Sequence, residues 1–241
     1  MNEKLGFKVL ITGGSSGVGE HLALRLAQNS NNQIYITGRN IERLNDVVMK
    51  ISDLGARGYF QTADVASSHE AEEVVEDAIK QMGGLDIFIA NSGVGRFKLL
   101  EEMTDEDIDE QFNTNVKGVY NFLRPIVVHM KSQDHGQIIV TSSNLGINFI
   151  AKGSVYCATK FAVQAIVGSL REELKGTSIK AATVNPGAID TPWFVDYGEE
   201  IIKNRLDVEE VVDAFMFIIN QGDRSNIDMI HLVPTYRLSE A

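Results

Sequence analysis

Short, continuously apolar stretches alternate with longer amphipathic ones along almost the whole chain, and few folds accept that rhythm. FKVLIT (7–12), QIYIT (33–37), GYFQTAD (58–64), LDIFIAN (85–91), GQIIVTSS (136–143), IKAATVNP (179–186) and IDMIHLV (227–233) read as strands. Between them, apolar residues recur at helical spacing over about 17–29, 40–54, 68–82, 104–131, 154–175 and 207–221. Runs such as VLI, IFIA and IIV lack the polar alternation of a half-exposed sheet, so both faces should be covered. Such strands, alternating with helices, predict right-handed βαβ units. The expected fold is α/β, a doubly wound three-layer sandwich around a parallel sheet of about seven strands. No repeat or linker interrupts the pattern, so residues 1–241 are expected to form a single domain.

Charge narrows the function. The net charge of −11 gives a surface that repels phosphate backbones, so neither nucleic acid nor an anionic membrane is an expected partner. The longest wholly apolar run, AFMFII (214–219), is far shorter than a bilayer-spanning helix, and MNEKLGFKVLIT does not read as a signal peptide. One cysteine, Cys157, excludes an internal disulfide, and a cytoplasmic setting is expected. The histidines (His21, His69, His129, His135 and His231) are scattered, so no metal site is expected.

The junction of the first strand and first helix reads TGGSSGVG, 12–19. At the carboxyl edge of an open α/β sheet, a helix N-terminus is a ready site for a phosphate. Glycine lets the backbone approach closely, and Ser15 and Ser16 add hydroxyls. A glycine-rich turn that merely joins strand to helix is the competing explanation. A nucleoside-triphosphate loop would need Lys-Ser or Lys-Thr after Gly19, where Glu20-His21 stand. The spacing is also not GxGxxG, since the glycines fall at Gly13, Gly17 and Gly19.

A second short stretch, SVYCATK (154–160), sets Tyr156 four residues before Lys160 at the start of a helix, on one face. Free tyrosine and lysine titrate at about 10 and 10.4, so neither alone is a useful base near neutrality. An aromatic and a lysine on an ordinary amphipathic helix would look similar. Against that, this helix begins at the ligand-binding edge of the sheet, and Ser143 ends the adjacent strand. The residues between the pair, Cys157, Ala158 and Thr159, are small; Cys157 reads as packing rather than as a nucleophile.

Together these segments resemble the short-chain dehydrogenases/reductases, in the compact branch of about 250 residues. The resemblance rests on TGGSSGVG, on Asp64-Val65 after the third strand, and on Ala90-Asn91-Ser92-Gly93 after the fourth. That last segment stands where the family has Asn-Asn-Ala-Gly; two positions differ, while Asn91 and Gly93 remain. It continues through Asn115, through Ser143 thirteen residues before Tyr156-x3-Lys160, and through Asn185-Pro186-Gly187 with Thr191. The resemblance implies a Rossmann-type fold and a nicotinamide cofactor. By the same likeness, Gly13, Ser15, Ser16, Gly17, Val18 and Gly19 would cradle its phosphates. Asp64 and Val65 would meet the adenine, with Asn91 and Gly93 beside them. Pro186, Gly187, Ile189 and Thr191 would flank the nicotinamide.

The implied chemistry is hydride transfer coupled to proton transfer between a carbonyl and its alcohol. Tyr156 would give its proton to the oxygen in reduction and, as phenolate, take it back in oxidation. The Lys160 cation should favour that phenolate, and Ser143 should hold the substrate oxygen by a hydrogen bond. The resemblance adds a contact from Lys160 to the nicotinamide ribose, and a water ordered by Asn115 on a proton path to solvent.

At the end of the second strand, ITGRN offers Arg39 and no acid before Glu42. A carboxylate there would bind ribose hydroxyls, whereas a guanidinium suits an extra 2′-phosphate. This favours NADP(H), with NAD(H) as the alternative, although the glycine loop holds no second basic residue. The following PWFVDYGEEIIKNR (192–205) stands where the family carries a substrate lid. Trp193, Phe194 and Tyr197 are expected to line an apolar pocket, or else to pin the loop. Its acids, Asp196, Glu199 and Glu200, argue against an acidic carrier protein, so a small free carbonyl or alcohol compound is the expected substrate. The apolar FAVQAIVGSL after Lys160 suits burial under the sheet or against another subunit. The family often pairs this helix and the preceding long one across a two-fold axis, so the resemblance implies a homodimer or homotetramer. The alternatives are an NAD(H)-dependent alcohol dehydrogenase or 3-oxoacyl reductase, and a catalytically silent NADP(H)-sensing protein. The silent protein would be expected to lose part of Ser143, Tyr156 and Lys160. An epimerase or dehydratase of the same superfamily would usually be expected to carry an added C-terminal substrate domain, which is not expected here.

Overall fold

The computed structural model describes residues 6–194 and 205–235. Seven strands form one sheet: β1 (Lys8–Thr12), β2 (Gln33–Gly38), β3 (Arg57–Thr62), β4 (Ile87–Ala90), β5 (Gly136–Thr141), β6 (Ile179–Pro186) and β7 (Met229–Leu232). Their order is β3-β2-β1-β4-β5-β6-β7, and every pairing is parallel. The chain therefore builds outward from β1 in one direction, then returns and continues from β4 in the other. The two halves part between β1 and β4, and a cleft opens at such a point above the strands' carboxyl ends.

The helices are α1 (Gly17–Ala27), α2 (Ile41–Asp53), α3 (Ser68–Met82), α4 (Asp105–Phe112), α5 (Gly118–Gln133), α6 (Ser154–Glu173) and α7 (Val208–Ile219). Alternate strand residues feed two separate cores. Val9, Ile11, Ile34, Ile36 and Ile89 face α1, α2 and α7, where Leu22, Leu44 and Phe215 meet them. Leu10, Tyr35, Phe88, Ile138 and Val140 face α3, α5 and α6, against Val74, Phe122 and Val163. This is the three-layer, doubly wound sandwich that the continuous apolar strands demand, and it leaves only the loops at the strand ends free for function.

The helix expected over 104–131 takes a different form. It is α4 and α5 joined by a π-turn, Asn113–Lys117. The cause is Asn115, 1% exposed, whose side chain turns inward to bond the backbone of Val94. Accommodating that residue widens one turn, a distortion that helices often carry at functional sites. Apolar spacing cannot report it. Among the described residues no helix is long and apolar enough to cross a membrane.

Candidate active site

The glycine loop leaves β1 through Gly13 at φ 67° and enters α1 through Gly17 at φ 55°, both in the left-handed region that suits glycine. Gly19 has a different reason to be glycine, since a Cβ there would lie 2.1 Å from the Gly13 carbonyl oxygen. Ser16 caps α1 in extended conformation, and its hydroxyl makes no capping bond. The loop thus presents open backbone N–H groups, the positive end of α1 and a spare hydroxyl, which together suit a phosphate.

Thr12 fixes this loop to the second half of the sheet. Its Oγ1 accepts hydrogen bonds from the backbone N–H of Asn91 (3.0 Å) and of Ser92 (3.1 Å). Asn91 donates through Nδ2 to the Gly13 carbonyl at 3.3 Å and accepts from Thr141 Oγ1 at 3.2 Å. The ends of β1, β4 and β5 are thereby tied around one cleft.

That cleft, about 930 Å³, is walled by Gly13, Ser16, Gly17 and Val18 on one side. Asn91, Gly93, Ser143, Tyr156 and Lys160 line it further on, as do Pro186, Gly187, Ile189, Thr191 and Trp193. Ser15, Gly19, Arg39, Asp64, Val65 and Asn115 are not part of the wall. Ser15 lies against Gly38, whose Cβ would stand 3.2 Å from Ser15 Oγ. Asp64 is exposed and accepts the N–H of Ala66 at 2.9 Å, while buried Val65 packs against Gly118. Arg39 is exposed at the end of β2. Arg43 reaches the cleft wall instead. It stands in the first turn of α2, which Asn40 caps by accepting the Arg43 N–H at 2.8 Å. A second basic residue therefore does serve this end of the cleft, from the helix rather than the glycine loop. The signal was present, four residues past Arg39, but only the Asn40 cap shows which way that turn faces.

The proposed chemical residues converge. Ser143 follows β5, and its hydroxyl accepts the Leu145 N–H at 3.1 Å and donates to Asn144 Oδ1 at 3.2 Å. Tyr156 and Lys160 share the inner face of α6, and both are buried. Lys160 Nζ donates to the Thr141 carbonyl at 3.0 Å and lies 5.7 Å from the centroid of the Tyr156 ring, within cation–π range. Burial pushes the Lys160 ammonium down to about 8, because taking it out of water disfavours the charged form. Asn115 donates through Nδ2 to the Val94 carbonyl (2.8 Å) and to Thr159 Oγ1 (3.0 Å). Its Oδ1 accepts the Val94 N–H at 2.8 Å. A Cβ on Gly93 would lie 3.4 Å from Asn115 Oδ1 and 3.5 Å from Lys160 Nζ, so these two polar atoms border the same small space.

Beyond Tyr156 the wall becomes aromatic. The Phe97 ring lies 5.2 Å from that of Tyr156 and 6.3 Å from that of Trp193, and Tyr156 and Trp193 are 5.8 Å apart. Gly95 permits this, since its Cβ would meet the Trp193 ring at 2.8 Å. Trp193 lines the cleft; Phe97 and Gly95 carried no signal until the fold brought their loop here. The Phe194 side chain and Asp196, Tyr197, Glu199 and Glu200 lie outside the described residues. No group of three His, Cys, Asp or Glu side chains that could hold a metal ion occurs among the described residues.

Known proteins agree with this architecture. The family model described as short chain dehydrogenase matches residues 8–201. An uncharacterised oxidoreductase of Listeria innocua is 33% identical over 238 residues, covering 94% of this chain and 96% of its own. The alcohol dehydrogenase of the archaeon Thermococcus sibiricus, solved with 5-hydroxy-NADP, superposes with a TM-score of 0.88 at 26% identity, over 98% of this chain and all of its own. A short chain dehydrogenase from Burkholderia cenocepacia, solved with NADP, gives 0.87 at 28% identity, over 96% and 98% of the two chains. With seven parallel strands, a glycine loop at the switch point and a family match across most of its length, this chain belongs to the short-chain dehydrogenase family of oxidoreductases.

Proposed function

We propose that this chain is an NADP(H)-dependent oxidoreductase that interconverts a small carbonyl compound and its alcohol, with Tyr156 as the acid/base. The observation that carries this reading is the convergence of Ser143, Tyr156 and buried Lys160 on one wall of a cleft whose other wall is the glycine loop.

The residues present fit the cofactor. Glycine at 13, 17 and 19 leaves a cradle that side chains would fill, and the bare N-terminus of α1 suits its diphosphate. Arg43 in the wall and exposed Arg39 nearby suit a 2′-phosphate, and neither competes with a carboxylate at the β2 end. The structural relatives solved with NADP or an NADP derivative support the same choice. Bound there, the nicotinamide supplies a hydride donor or acceptor next to the substrate carbon.

The protein's own groups do the rest. Ser143 hydrogen-bonds the substrate oxygen and holds it toward Tyr156. Tyr156 gives that oxygen a proton in reduction and removes it in oxidation. The Lys160 ammonium, anchored on the Thr141 carbonyl, favours the phenolate by charge and would hold the nicotinamide ribose when the cofactor is bound. Asn115 and Lys160 border the space beside Gly93, where a water would link the lysine to solvent. The reading extends to a homodimer or homotetramer, which the exposed Tyr120 and Val128 of α5 support.

The test is a panel of ketones, aldehydes and diketones with NADPH, followed at 340 nm. Tyr156→Phe should abolish turnover, by about three orders of magnitude or more for loss of the proton donor, while cofactor affinity stays nearly unchanged. Retained turnover would remove Tyr156 from the chemistry. A wild-type preference for NADH that Arg39→Ala and Arg43→Ala leave alone would reverse the cofactor assignment.

A further inference from the structure

We infer that the physiological substrate carries a carboxylate, and that Lys152 selects for it. This rests on the oxidoreductase reading above and names the substrate class it leaves open. The chain has 33 acidic residues and a net charge of −11, yet no Asp or Glu lines the cleft among the described residues. Three cations do: Arg43, Lys152 and Lys160.

Two of the three have work elsewhere. Arg43 stands with the α1–α2 end of the cleft, and Lys160 is buried on the Thr141 carbonyl. Lys152 lies in the loop just before α6 and lines the cleft, as Phe97, Ile150 and Trp193 do. Its ammonium makes no hydrogen bond or ion pair among the described residues. Lys98, joined to it through the backbone, is by contrast paired with Asp107. The backbone holds Lys152 firmly. Its φ is 64°, a conformation that costs a residue with a Cβ about 1 kcal/mol, and its carbonyl accepts the Lys98 N–H at 3.0 Å. Gly153 follows directly, so the strained position carries a cation although a glycine stands next to it.

An exposed, unpaired ammonium at a cleft lined by no acid among the described residues recognises an anion by charge-assisted hydrogen bonds, and the aromatic rings accept an apolar body. An oxo acid or hydroxy acid offers both. In reduction its carbonyl carbon gains the hydride, its oxygen gains the Tyr156 proton, NADPH becomes NADP⁺, and the carboxylate is unchanged. A substrate bearing an amine would instead meet two like charges.

The experiment uses oxo carboxylates of increasing chain length, each beside its methyl ester and an amino ketone of equal length, with saturating NADPH. The best acid should exceed its ester in kcat/KM at least tenfold. Lys152→Met should lower that ratio about tenfold or more, chiefly through KM, and Lys152→Arg should keep most of it. Trp193 is the chain's single tryptophan and lines the same cleft, so its fluorescence reports occupancy without turnover. Phenylacetate should quench it in the NADP⁺-loaded protein, with a Kd weakened about tenfold in Lys152→Met, and its methyl ester should not. An ester or amino ketone favoured over the acid, or a ratio unmoved by Lys152→Met, would overturn the assignment. Lys152-dependent quenching without turnover of any carbonyl compound would uphold anion selection and sink the oxidoreductase reading. Turnover with no charge preference would do the reverse.

Discussion

Lys160 shows what a single buried charge costs and what it supplies. In the unfolded chain its ammonium titrates near 10.5, and in the folded chain burial lowers that to about 8. Below pH 8 the folded protein carries the whole cost of a desolvated cation, on the order of 3 kcal/mol. Between pH 8 and 10.5 the unfolded chain holds a proton that the native state has released, so stability rises with pH across that window. Wild type should therefore gain on Lys160→Met by up to about 3 kcal/mol in denaturant midpoints taken from pH 8 to 10.5. Activity should move the other way: with Lys160 neutral, kcat/KM for reduction should fall as pH rises through about 8, and a flat profile would remove the ammonium from the mechanism. Gly19 invites a geometric test. Gly19→Ala would put a methyl 2.1 Å from the Gly13 carbonyl, so NADPH binding by calorimetry should drop by at least tenfold while the sheet remains folded. The spacing of Tyr156 and Lys160 was legible because four residues on a helix always share a face. Thr12, Gly95 and Phe97 were not legible, because their roles depend on which loops the sheet brings together.

Among the elements, the α4–π–α5 helix and the α1–α7 contact are held by polar side chains that single substitutions would remove. Asn115 satisfies both the N–H and the carbonyl of Val94, in the loop that borders Lys160 Nζ through Gly93. Asn115→Leu would strand both groups in a buried setting, at roughly 1–3 kcal/mol each. Thermal denaturation should show that loss, and turnover should fall with it; an unchanged melting temperature would mean the loop finds other partners. The inner strands and the helix cores could be read from the periodicity, since burial on two faces leaves few alternatives, while the edge strands β3 and β7 hold no buried residue. The π-turn could not, because an apolar stripe continues across 104–131 whether or not one turn widens. At the α1–α7 contact, Arg25 bonds both Glu209 and Asp213, and His21 Nδ1 lies 2.7 Å from Glu209. The His21 hydrogen bond foremost, then Arg25, holds the Glu209 carboxyl below its usual range. That contribution is present above about pH 4.5 and lost as pH falls through the lowered value. The groups are partly exposed, so Arg25→Met should destabilise by no more than about 1 kcal/mol near neutrality, and less in high salt.

Across the whole molecule, acidity and apolar surface divide the work. None of the acids behind the net charge of −11 lines the cleft among the described residues, where the charged lining groups are cations alone. Tyr120 and Val128 are exposed on α5, 49% and 71%, and on the proposed oligomer another subunit would cover them. Light scattering should return two or four chains per particle, and Val128→Glu should lower that number if α5 forms the contact. The strand order adds a division of another kind. Within the cleft, one stretch of lining comes from residues before 44, in the β1–α2 half, which on the proposed reading would hold the cofactor's phosphates; the rest comes from residues after 90, where the reacting carbon would sit. On that reading, choice of cofactor and choice of substrate rest on separate stretches of chain. A lineage with this fold can exchange one while keeping the other, and recombination near β4 would swap them as intact modules.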